Sequence, residues 1–161
     1  MAIWDRFSDA DVTLGASVRN KRNLLETLAA KAAERLGRPA EEILHVLEAR
    51  EELGSTVVAE GVAIPHAQLP GAASPLVLFA RTERPIDFDA GDAEPIDLVF
   101  VVLWPAEDAK GLLDAMSEIC RPLRDDRLLR QLRSAETPED AIGILRGIPG
   151  PEQDDAALAR G

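Results

Sequence analysis

The run Leu98–Trp104, LVFVVLW, is seven consecutive apolar residues, and it sets the terms for everything around it. It is far short of the ~20 residues that a membrane-crossing helix needs. Three of its members are valines and Pro105 ends it, so Asp97–Trp104 reads as a buried strand. Leu76–Arg81 has the same character. A strand that is apolar on both faces must be covered on both faces, and the chain supplies the cover. Leu24, Leu25, Leu28, Ala29, Ala32 and Leu36 form a stripe at helical spacing within Ser17–Leu36, closed by Gly37. A second helix begins near Pro39, carries Ile43, Leu44 and Leu47 on one face, and is stopped by Gly54, which leaves Arg50 in its last turn. Val57–Val58 and Val62–Ile64 are short β-branched runs around an Ala59-Glu60-Gly61 turn. Residues 83–95, ERPIDFDAGDAEP, read as an acidic loop or a short strand pair.

Later in the chain a helix is expected from about Asp108, with Leu112, Leu113, Met116, Ile119 and Cys120 inward and Pro122 at its end. Leu128, Leu129 and Leu132 mark another, capped by Asp125 or Asp126. Thr137-Pro138-Glu139-Asp140 is a helix start: a cap hydroxyl, a proline at the first position, then two acids facing the helix dipole. No internal repeat is present. The expected fold is α/β: one domain over residues 1–147, with a mixed, roughly five-stranded sheet flanked by helices on both faces, and a flexible tail over 148–161.

Composition narrows the function. Net charge is −11 and the isoelectric point about 4.6, which argues against nucleic acid and anionic membranes as partners and suits a basic protein. The N-terminus lacks a basic stretch followed by an apolar one, so no secretory signal is read and the cytoplasm is expected. The single Cys120 has no internal disulfide partner and is expected to be a reduced core thiol. There is no HxH, HExxH or CxxC, so no metal and no cofactor is expected.

The chemistry concentrates in REELGSTVVAEGVAIPHA, from Arg50 to Ala67. Neutral imidazole is a nucleophile near physiological pH, its ordinary pKa being ~6.5. Pro65 fixes the backbone just before His66 and holds Ile64 extended, so the imidazole is rigidly presented at a strand end. Arg50 can give paired N–H donors to an anion, and Thr56 or Ser55 a hydroxyl. Those parts suit the reception of a phosphoryl group. The same residues have simpler readings: Arg50 as a complement to the helix dipole, Thr56 or Ser55 as a turn cap. His45, in HVLEAR, is a helix-face residue.

This segment resembles a family. RE-x-LGST followed by G-x-AIPH is similar to the signature of phosphotransferase-system enzyme IIA domains of the fructose/mannitol type. Residues 74–105, SPLVLFARTERPIDFDAGDAEPIDLVFVVLWP, and 137–145, TPEDAIGIL, resemble the nitrogen-regulatory branch. The resemblance covers roughly residues 12–147. It implies a cytoplasmic phosphocarrier whose acceptor is His66, with the family arginine on Arg50 and the family hydroxyl on Thr56. It implies as partners the phosphocarrier protein HPr or its nitrogen-branch paralogue, and regulatory target proteins or a separate IIB component. The family often has a second histidine at the start of the helix after the LVF strand; its place falls on Leu112, or on Gly111 with a one-residue slip. The expected function is a regulatory phosphocarrier. The alternatives are a sugar-specific IIA and an interaction module without turnover. The acidic run Glu83, Asp87, Asp89, Asp92, Glu94 and Asp97 has two readings: an ordinary solvated face, or a ring steering a basic partner toward His66.

Overall fold

A computed structural model describes residues 2–89 and 94–150, and the structural statements below concern those residues. The apolar run becomes β6 (Ile96–Pro105), the spine of a six-stranded mixed sheet. On one side β5 (Leu76–Ile86) pairs with it antiparallel, Phe79 opposite Phe100, and β1 (Val12–Ala16) pairs parallel with β5. On the other side two short strands lie end to end along β6, both parallel to it. β3 (Val62–Ala63) pairs at Leu98–Val99 and β4 (His66–Leu69) at Val102–Pro105. β2 (Val57–Ala59) forms a hairpin with β3 through Gly61, whose φ of 74° is the left-handed conformation that such a tight turn needs.

Alternation along β6 builds two cores. Leu98, Phe100, Val102 and Trp104 face one cluster, and Val99, Val101 and Leu103 face the other. The second face is covered by α1 (Lys21–Leu36) and α2 (Ala40–Glu52), through Leu24, Leu28, Ile43 and Leu47. The first is covered by α3 (Ala109–Cys120), α4 (Asp126–Ser134), α5 (Pro138–Arg146) and the N-terminal 3-10 turn at Ile3–Arg6. Trp4 meets Phe100 edge-on at 5.8 Å between ring centroids, tying the N-terminus to the spine. Helices therefore flank both faces, as the apolar spine requires.

The helix ends follow their caps. The side chain of Asn20 accepts from the Asn23 amide at 2.8 Å, so α1 starts at Lys21 rather than at Ser17. Gly37, at φ 65°, ends it. Asp125 caps α4, and Thr137 with Asp140 forms a capping box on α5. The Arg81 guanidinium gathers the carbonyls of Leu132, Arg133 and Ala135 at 2.9, 3.1 and 2.7 Å, placing a cation at the C-terminus of α4.

Four expectations need correction. The sheet has six strands rather than about five; β1 is broken by Gly15 and β4, HAQL, is short and polar, so neither carries an apolar run. β5 continues past Arg81 to Ile86 through an irregular register that absorbs the polar Thr-Glu-Arg-Pro stretch. Leu113 is 69% exposed rather than inward; Ala115 and Ile119 take the buried face of α3. Cys120 is half-buried beside its cluster, and burial pushes its thiol pKa up.

Candidate functional site

His66 is the first residue of β4, and its backbone is fixed by the sheet. It lies opposite Val102, and the carbonyl of the preceding Pro65 accepts the Val102 amide at 3.0 Å. Ala67 and Leu69 point into the α1–α2 core, so alternation puts His66 and Gln68 on the α3 side of the sheet. The imidazole is half-buried. Its Nδ1 lies 2.8 Å from the carbonyl oxygen of Ile64. A carbonyl can only accept, so Nδ1 carries the proton and Nε2 presents its lone pair.

That lone pair meets Arg50. Ile43, Leu47 and Arg50 lie on one face of α2 at four- and three-residue spacing, the first two fully buried against the sheet. Each buried aliphatic side chain contributes about 1.5–3 kcal/mol, so the packing of α2 sets the direction of Arg50. The Nε of Arg50 donates to Nε2 of His66 across 3.3 Å, and its Nη1 donates to the Gly54 carbonyl at 2.9 Å. The second bond anchors the guanidinium at the helix end and leaves its remaining N–H groups available.

Burial is the main reason that the His66 pKa lies below the ordinary 6.5, and the Arg50 charge adds to it; the Ile64 carbonyl and the Glu51 carboxylate oppose. The ring is therefore neutral near neutral pH. The site offers a bare imidazole nitrogen facing a cation, which is what an incoming phosphoryl group with its negative oxygens requires.

The two hydroxyls differ. Thr56 is 3% exposed and its Oγ1 donates to Oε1 of Glu51. Ser55 is exposed, and its Oγ accepts the Val57 amide at 3.3 Å, a local turn contact. Glu51 is the residue that sequence reasoning missed. Its other oxygen lies 2.8 Å from Nζ of Lys21, and Lys21 sits 4.5 Å from the centroid of the Phe88 ring. The only sequence signal for Glu51 was its place beside Arg50 in the quoted motif. His45 is exposed on α2.

Near the place of the second histidine, the Asp108 carboxylate accepts from Trp104 Nε1 at 2.9 Å and from the Gly111 amide at 3.1 Å. A Cβ on Gly111 would fall 1.9 Å from Asp108 Oδ2 and 2.7 Å from Trp104 Nε1, so that position has no room for a side chain as it stands. Leu112 is half-buried against the cluster that contains Ile64, Val102 and Trp104, on the side of the sheet that His66 shares. Of the acidic run, Asp87 and Asp89 are exposed, while Ile86 and Phe88 between and before them are buried. Asp97 is committed to Arg133 at 2.8 Å, and Asp92 lies outside the described residues. Among the described residues no group of three or more His, Cys, Asp or Glu side chains could hold a metal ion, and no helix is long and apolar enough to cross a membrane.

Residues 6–147 match the family described as phosphoenolpyruvate-dependent sugar phosphotransferase system, EIIA 2. The chain belongs to this family. EIIA domains are phosphotransfer components of that system. A nitrogen regulatory protein of Bradyrhizobium diazoefficiens is 39% identical over 145 residues, covering 90% of this chain and 95% of that protein. The nitrogen regulatory protein of Escherichia coli is 35% identical over 133 residues, 82% of each chain. Among solved structures, the nitrogen regulatory protein IIA-Ntr of Neisseria meningitidis superimposes with a TM-score of 0.83 at 30% identity, over 89% of this chain and 98% of that one. The mannitol IIA of E. coli, at 15% identity and a TM-score of 0.72 over 87% and 99%, shares the fold. The EIIA architecture thus accounts for the sheet and for the helices that cover it.

Proposed function

We propose that this EIIA domain accepts a phosphoryl group on Nε2 of His66 from an HPr-like phosphocarrier protein, and that its phosphorylation state regulates partner proteins in the cytoplasm. One observation carries the reading: Nδ1 donates to the Ile64 carbonyl, so the free lone pair of the ring is on Nε2, and Nε2 faces Arg50. Phosphoryl transfer passes through a loose, metaphosphate-like state with charge spread over the equatorial oxygens, so alignment and electrostatics do most of the work. The sheet and Pro65 supply the alignment. Arg50 supplies the electrostatics: its present bond to Nε2 is long, and the guanidinium has only to pass from the lone pair to the phosphoryl oxygens as they arrive. Thr56 orients Glu51 with its hydroxyl, and Ser55 serves its turn. Neutral imidazole needs no general base.

The names of the relatives support the regulatory reading. A second reading, delivery to a sugar-specific IIB component, is favoured by one relative, a fructose-specific EIIA component of Haloferax volcanii, 35% identical over 105 residues and covering 65% of this chain and 68% of that protein. The test is incubation with a phosphorylated HPr-like donor carrying labelled phosphate. The wild-type protein should take up acid-labile label, and His66→Ala should take up none while keeping its circular dichroism. Normal labelling of His66→Ala would overturn the assignment.

A further inference from the structure

The phosphoryl-transfer geometry leaves a buried ion pair unused. The Glu51 side chain is 5% exposed and that of Lys21 15%, with 2.8 Å between Oε2 and Nζ. Thr56, 3% exposed, donates to the other Glu51 oxygen, so both oxygens of the carboxylate are held. Replacing a buried ion pair by apolar side chains is often neutral or stabilising, so stability alone is a weak reason for this one. Its position is more telling. Glu51 follows Arg50 on α2, and Thr56, which donates to it, accepts the Ile64 amide on its carbonyl at 2.9 Å, so the ion pair is tied to the residue whose own carbonyl holds Nδ1 of His66.

We propose that Glu51, anchored by Lys21 and Thr56, is a positioning residue that stabilises the cationic ring of phosphorylated His66. The inference rests on the phosphocarrier reading. In the step itself the P–N bond of the donor phosphoimidazole breaks and its electron pair returns to the donor nitrogen. The Nε2 lone pair of His66 forms the new P–N bond. Nδ1 keeps its proton on the Ile64 carbonyl, so no proton moves and the positive ring charge passes from donor to His66. Arg50 holds the phosphoryl oxygens but repels that ring charge. The Ile64 carbonyl and the Glu51 carboxylate are the groups that favour it, and they are also the two that raise the proton affinity of the ring. Lys21 holds the carboxylate in place through the ion pair, and Thr56 fixes its orientation.

The test compares wild-type protein with Glu51→Gln and with the double variant Lys21→Met/Glu51→Gln. Gln keeps an oxygen for the Thr56 hydroxyl and removes the charge. The double variant also removes the ammonium that Gln would leave unpaired, and so serves if the single variant folds poorly. Two quantities are read: the NMR titration midpoint of the His66 ring without phosphate, and the equilibrium constant for phosphoryl transfer from a phosphorylated HPr-like donor. In Glu51→Gln the midpoint should move further down and the equilibrium constant should fall by about three- to tenfold, the effect of one charge acting through a partly buried site; in the double variant, which removes the opposing ammonium as well, both changes should keep that direction and be smaller. Variants with an altered melting temperature but unchanged titration and transfer would show a structural ion pair and overturn the proposal. Wild-type protein that takes no phosphate on His66 would overturn the phosphocarrier reading and this inference with it. A labelled wild type with unaffected variants overturns the Glu51 assignment alone.

Discussion

The two ring nitrogens of His66 are not equivalent: Nδ1 is tied to Ile64, and Nε2 faces Arg50, where the proposed reaction needs a free lone pair. A charge-assisted hydrogen bond contributes about 1.5–3 kcal/mol, so Arg50→Ala should slow labelling by roughly ten- to a hundredfold. Denaturation should move little, because Arg50 is half-buried at a helix end and its structural bond is to Gly54 alone; a variant that labels at the normal rate would contradict this. The depressed pKa of His66 gives a second expectation. Its folded value lies below the unfolded 6.5, so the unfolded chain binds the proton more readily. Stability from this group is intact above 6.5 and is lost as pH falls from there toward the folded value. His66→Gln should flatten that part of the stability curve, and labelling of the wild type should hold steady from about pH 8 down to about 6.5. His66 and Arg50 were legible because motif and backbone chemistry point at them. Glu51 and Lys21 were not, since thirty residues separate them and only the packing of α1 on α2 joins them.

At the level of elements, the site stands where α2 ends and β4 begins, opposite Val102 of β6. The apolar spine, the cap residues and the Gly37 stop were readable because each has a local cause. β4 was hidden, because a four-residue strand that pairs along half of a longer one has no periodicity of its own. Leu113 was misplaced because helical spacing alone does not say which apolar residue of a turn faces the sheet; Ala115 and Ile119 do so here. The start of α3 can be tested. Gly→Ala inside a helix ordinarily gains up to ~1 kcal/mol, but at Gly111 the added Cβ meets the carboxylate that caps the helix and the indole bonded to it. Losing those bonds costs about 1–3 kcal/mol, so overlap wins. Gly111→Ala should lower the urea midpoint, and an unchanged or raised midpoint would show that Asp108 swings aside freely.

For the whole molecule the dominant fact is charge. A protein of net charge −11 attracts a basic donor to every face, so oriented encounter needs acids placed near the site. Asp87 and Asp89 are exposed beside Phe88, which lies under Lys21 and hence next to Glu51. Neutralising Asp87, Asp89 and Asp92 together should lower the on-rate of a basic phosphocarrier more than it raises the off-rate. The wild-type on-rate should fall as the Debye length shrinks from ~30 to ~8 Å. Stopped-flow rates that ignore both salt and the substitutions would leave these acids an ordinary solvated surface. The accepting atom can be read directly. Long-range 1H–15N correlation spectra of the phosphorylated, 15N-labelled protein report which ring nitrogen is bonded to phosphorus. A phosphorus-coupled Nε2 on His66 with Nδ1 still protonated is the expected result; a phosphorus-coupled Nδ1, or an unmodified His66 ring in labelled protein, would contradict the proposed acceptor.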